Sequence, residues 1–246
     1  MANDTLVKLA LAPLLLAQAL HVRRVALELP EPPGPRAGRT GNGTPLRLLI
    51  LGDSSAAGVG ASDQSLALSG QLAAILGKSH ALHWQLEAAT GATSASALAR
   101  LERLENMRFD AALIVLGVND VTHATPLARF LSRRRAIHRA LRHRFGVSRI
   151  LASGLPPMGH FPLLPQPLRW TLGLTAARFD AALARLCADD GCAHLPLDLP
   201  YEARFVATDG FHPSEAAYGR WAEMLAPLLA TPQHGADLPP APSGLS

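Results

Sequence analysis

The chain has 246 residues, of which 48% are hydrophobic and 17% charged, and it carries a net charge of +4. This is the composition of a soluble globular protein, long enough for one large domain or two small ones with a substantial core. The basic residues concentrate in one helical stretch without interleaved aromatics, which argues against a nucleic-acid partner. Two cysteines, Cys187 and Cys192, cannot form a disulfide scaffold. They leave open one small loop closed under oxidising conditions, and neither has metal-ligand company at a zinc-like spacing.

Residues 1–29 contain an apolar run from Leu9 to Ala17, followed by His21, Arg23 and Arg24. The run is shorter than the roughly twenty residues of a spanning helix. Ala17-Gln18-Ala19 has the form of a signal-peptidase site, which would make the protein secreted. However, Asp4 weakens the positive start, and two arginines follow closely. The reading adopted is an uncleaved N-terminal helix that packs on the domain or touches a membrane surface, in a cytoplasmic or membrane-associated protein. Residues 30–43, PEPPGPRAGRTGNG, are too rich in proline and glycine for regular structure and read as a linker. Residues 231–246 read as a loose tail.

Between them, residues 44–230 alternate strand-like and helix-like segments. Strands are expected at Leu46–Leu51, Leu82–Ala88, Ala111–Leu116, Arg149–Ala152 and Ala193–Leu197, with Pro196 marking the last as an edge or an end. Helices are expected at Gln64–Leu76, Ser94–Glu105, Leu127–Arg144, Leu174–Ala188 and Ser214–Leu229. Apolar strands separated by helices imply a single three-layer α/β/α domain around a parallel sheet. In the Leu127–Arg144 helix, Leu127, Phe130, Leu131, Ile137 and Leu141 form the inward stripe, interrupted by Arg134. The other arginines fall mostly on a solvated face.

In such a sheet the loops after the strands gather at one edge. The first carries Gly52-Asp53-Ser54, the second Gly91 and the third Gly117-Val118-Asn119-Asp120. A serine, an open backbone donor and an asparagine amide meeting there would make a nucleophile with an oxyanion hole. A base stands near the C-terminus, in Asp209-Gly210-Phe211-His212. Asp209 can reach His212 within one turn and leave Nε2 free for Ser54. Each piece has a plainer reading as a turn or cap, Pro213 starting the last helix among them. The other histidines show no metal-like grouping. Gly77-Lys78-Ser79 lacks the glycine a phosphate loop needs at Leu72, and no Gly-x-Ser-x-Gly elbow occurs.

Taken in order, Gly52-Asp53-Ser54, Gly91, Gly117-Val118-Asn119-Asp120 and Asp209-Gly210-Phe211-His212 resemble the four landmarks of the SGNH (GDSL-type) hydrolases, over about Leu46 to Leu229. The resemblance implies a flavodoxin-like fold with Ser54 as nucleophile, His212 as base and Asp209 as its partner. It implies oxyanion donors from the Ser54 and Gly91 backbone N–H groups and the Asn119 side chain, and no metal or organic cofactor. Ser55 departs from the apolar residue many members carry there. The expected activity is a serine esterase for small-molecule esters of short- to medium-chain acids. The alternatives are a lysophospholipase, thioesterase or carbohydrate deacetylase of the same fold, or a ligand-binding module without catalysis. Oligomeric state is not legible.

Overall fold

The computed structural model describes residues 2–200 and 202–230. Helix α1 (Ala2–Val25) leads into strands β1 (Ala37–Thr40) and β2 (Thr44–Gly52), the one-turn helix α2 (Ser54–Ala57), helix α3 (Leu68–Leu76) and strand β3 (His80–Ala88). Then come α4 (Ser94–Arg103), β4 (Ala111–Val115), α5 (Val118–Thr122), α6 (Leu127–His143) and β5 (Arg149–Ser153). The chain ends with α7 (Leu168–Asp189), β6 (Ala193–Leu195) and α8 (Glu215–Ala230).

The six strands lie in the order β1-β3-β2-β4-β5-β6. All neighbours pair in parallel except β1, which runs antiparallel to β3. The five parallel strands therefore follow the doubly wound, flavodoxin-like order, and the winding reverses between β2 and β4. A crevice opens beyond the strand ends at such a reversal.

Alternation along β2 sorts the core into two layers. Leu46, Leu48 and Ile50 join Leu72 and Leu76 of α3 and Trp221, Leu225 and Leu229 of α8 on one face. Leu49 and Leu51 join Leu101 of α4 and Ile137 and Leu141 of α6 on the other. Both sets are fully buried, as expected of a central strand covered on both sides. A third cluster extends the second layer through Phe130, Phe179, Leu183 and Leu186, and Leu15 and Val22 of α1 pack against it. Helix α1 is tied to the start of α7 by Gln18, which donates to Gln166 O (2.6 Å) and accepts from Leu168 N–H (3.1 Å).

Several stretches differ from the sequence reading, among them the helix starts, with α3 beginning at Leu68 and not Gln64 and α7 at Leu168 and not Leu174. Residues 30–43 are not without regular structure: Ala37–Thr40 form β1, aligned with Leu82–Gln85 of β3. Gly38 lies against the Trp84 ring there, at a position where a Cβ would stand 3.1 Å from Trp84 Nε1. Arg134 is fully buried, as its place on the inward stripe implies. Two arginines expected on the solvated face are tied into the fold instead: Arg142 donates to Asp190 O and Gly191 O at the end of α7, and Arg144, just past α6, donates to Leu101 O and Glu102 O at the end of α4. Cationic side chains on carbonyl-bearing helix ends are favourable on both hydrogen-bonding and dipole grounds. Cys187 and Cys192 are free thiols, and burial pushes Cys187 up to about 12. The tail expected at 231–246 lies outside the described residues.

Candidate active site

Strand β2 ends at Gly52, where a Cβ would stand 2.2 Å from Ala56 Cβ and 2.9 Å from Val115 O. Only glycine allows the chain to turn so tightly into α2. Asp53 caps that short helix by accepting from Ser55 N–H (3.0 Å), while its own N–H donates to Val115 O at the end of β4. Ser54, the first helical residue, is thus held at the strand end with 7% of its surface exposed.

The loop before α8 brings His212 to it. Ser54 Oγ and His212 Nε2 lie 2.8 Å apart, and Asp209 Oδ2 lies 2.5 Å from His212 Nδ1. The other Asp209 oxygen accepts from the backbone N–H of Phe211 (2.9 Å) and His212 (3.0 Å). Burial raises the pKa of the Asp209 carboxyl, but the His212 ring and those N–H groups outweigh it and hold the group below the usual carboxylate range. An ionised Asp209 accepts a hydrogen bond from Nδ1–H, which keeps the proton on Nδ1 and leaves Nε2 as an acceptor facing the serine hydroxyl. Phe211 meets the Phe161 and His212 rings edge-on, at 4.9 and 5.2 Å.

Asp53 is not the acid of this line. Its carboxyl is bound into the α2 cap, and burial raises it to about 6. Tyr218 of α8 steadies the same region, its hydroxyl donating to Val59 O (2.6 Å).

Asn119, in α5 after β4, lines the same cavity as Ser54 and His212. One of its amide hydrogens goes to Ala92 O (3.1 Å), in the loop that carries Gly91. Gly91 sits there at φ +76°, with nothing within 4 Å of where a Cβ would be, so the backbone faces open space. It lies outside the cavity wall itself. Asp120, legible in the sequence only as a turn or cap residue, is fully buried and accepts from both Ser94 N–H (2.8 Å) and Ser94 Oγ (3.0 Å). It joins α5 to the first turn of α4, and no sequence signal at Ser94 pointed to it.

The cavity beside Ser54 holds about 120 Å³ and is walled by apolar side chains. Leu155, Pro156, Pro157, Phe161 and Pro162 come from the proline-rich segment after β5, which therefore lines the cavity; Leu197, Leu199 and Phe205 line it as well. Among the described residues no three His, Cys, Asp or Glu side chains gather as a metal would require.

A serine, histidine and aspartate in hydrogen-bonded line at the crevice edge of a parallel α/β sheet are the features of a serine hydrolase. The chain belongs to the GDSL-like lipase/acylhydrolase family, whose pattern matches residues 50–220. It is 29% identical over 241 residues to the GDSL-like esterase Rv1075c of Mycobacterium tuberculosis, covering 86% of this chain and 74% of that one. Among solved structures, TesA is similar at 25% identity with a TM-score of 0.60, over 75% of this chain and 98% of that one. The acetylxylan esterase Axe2 of Geobacillus stearothermophilus shares the fold at 16% identity and a TM-score of 0.57, over 77% and 96%. The protein is accordingly a hydrolase of ester bonds, and a serine triad with an oxyanion hole is typical of its family.

Proposed function

We propose that the protein is a serine esterase acting through an acyl-enzyme on small esters of short- to medium-chain acids, with Ser54 as nucleophile. The observation that carries this reading is the 2.8 Å approach of His212 Nε2 to Ser54 Oγ in the wall of a largely apolar cavity. His212 takes the serine proton as Oγ attacks the ester carbonyl. The tetrahedral oxyanion is stabilised by the backbone N–H groups of Ser54 and Gly91 and by the free amide hydrogen of Asn119. The proton then passes from His212 to the leaving alcohol, which departs. Water, deprotonated by the same imidazole, releases the acid and restores the serine. Asp209 stabilises the imidazolium formed in each half-reaction.

The apolar lining supports an acyl chain in the cavity. The test is a series of p-nitrophenyl esters from acetate to laurate. Turnover is expected to peak in the short to middle range, and Ser54→Ala is expected to abolish it in a protein of unchanged circular dichroism. Esterase activity retained by that variant would remove Ser54 from the role.

A second reading, a lipid-directed enzyme such as a lysophospholipase or thioesterase, is favoured by one observation. Leu14, Leu16 and Leu20 of α1 are 47%, 63% and 49% exposed, and Trp170 and Leu174 at the start of α7 are 42% and 38% exposed. Apolar helix surface beside Arg23 and Arg24 suits peripheral contact with an anionic lipid surface. Among the described residues no helix is long and apolar enough to cross a membrane.

A further inference from the structure

Residues 31–36 of the proline-rich segment lie across two of the loops that build the site. Glu31 Oε1 accepts from the backbone N–H (2.8 Å) and the hydroxyl (2.9 Å) of Thr90. Its other oxygen pairs with Arg36 (2.8 Å), and Arg36 in turn donates to Ala88 O at the end of β3. At the same time Pro32 is buried, and a Cβ on Gly58, the residue that ends α2, would stand 3.0 Å from its ring. Pro33 O accepts from Gln64 N–H (2.8 Å), and the buried Gln64 side chain donates to Ala57 O, also in α2 (2.7 Å). One short segment therefore grips both the turn that carries Ser54 and the loop that carries Gly91.

Gly91 has nothing packed where a Cβ would be, so the direction of its N–H is set by its neighbours. On one side Ala92 O is held by Asn119 and Ser94 by Asp120. On the other, Thr90 is held by Glu31 alone among the hydrogen bonds described. We propose that Glu31 is a positioning residue for ester hydrolysis, fixing Thr90 so that the next N–H along the chain, that of Gly91, points at the developing oxyanion. This rests on the reading of Gly91 as an oxyanion donor. Glu31 itself touches no substrate. A donor displaced by a fraction of an ångström loses strength in the transition state more than in the ground state, so the loss belongs in kcat and not in KM.

The experiment uses the full chain and counts active enzyme by titrating Ser54 with a fluorophosphonate, so that a misfolded fraction is not mistaken for slower chemistry. Glu31→Ala is expected to lower kcat per titrated site roughly 10- to 100-fold with KM within about twofold. Thr90→Val, which removes only the hydroxyl contact, is expected to give a smaller fall in the same direction. Asn119→Ala serves as the reference and should lose on the order of a hundredfold or more. If Asn119→Ala falls as expected while both variants keep wild-type kcat per titrated site, the positioning role is overturned and the esterase reading stands. If Asn119→Ala itself turns over normally, the oxyanion-hole reading fails first.

Discussion

Asp53 sits beside Ser54 as a carboxyl with 3% exposure, raised by burial from its ordinary value to about 6. The folded chain therefore holds this proton more tightly than the unfolded chain does. The stabilising term is fully present below the unfolded pKa and is lost as pH rises through about 6, when a charge must be kept in the interior. Across that window the term is on the order of 3 kcal/mol. Asp53→Asn can retain the cap on Ser55 N–H through its amide oxygen without the charge. The stability of the variant relative to wild type should rise between about pH 4 and pH 7, measured by urea unfolding. A difference that stays flat over that range would show that Asp53 is not desolvated as described. The Cys187 thiol in α7, pushed to about 12, is by contrast a packing group with little thiolate at neutral pH.

At the scale of elements, α6 illustrates what a helical pattern conceals. Its apolar stripe places Phe130, Ile137 and Leu141 correctly in the core. Arg134 falls on that same stripe and is buried with them, with no hydrogen-bond partner for its three guanidinium nitrogens among the described residues. Burial lowers its pKa to about 10, and it in turn adds to the burial that depresses His138 to about 4. The buried Asp120 carboxylate attracts Arg134 electrostatically, and removing one of two such charges leaves the other uncompensated, at a cost of about 3–5 kcal/mol. Arg134→Met is thus expected to lower the thermal midpoint by several degrees. An unchanged or raised midpoint would show that Asp120 does not depend on Arg134. The site elements read more easily: Ser54, Gly91 and Asn119 each follow a strand within a few residues, where local pattern and topology together locate them. Glu31 was not legible, because its partner Thr90 is 59 positions away and its proline-rich surroundings resemble a linker.

For the whole molecule, the parallel sheet followed from the alternation of apolar runs and helices, and its flavodoxin-like order from the family resemblance alone. The antiparallel strand β1 did not, since four residues of mixed polarity carry too weak a period to announce an edge. This bears on how the lipid-directed reading is tested. A truncation through residue 43 would remove β1 and the segment around Glu31 as well as α1. The informative variant carries Leu14→Gln, Leu16→Gln and Leu20→Gln in the full chain. If the exposed face of α1 seats on lipid, this variant should lose binding to vesicles containing phosphatidylglycerol while keeping its rate on soluble esters. Equal sedimentation of both proteins with the vesicles would exclude that face as the contact.

The hydrogen bond between Ser54 and His212 spans 158 positions, from the first parallel strand to the loop before the last helix. During synthesis Ser54 leaves the ribosome long before His212 has been made. The two can meet only once the loop before α8 has reached the end of β2, so on the proposed mechanism a chain that stops short of residue 212 has no base for its serine.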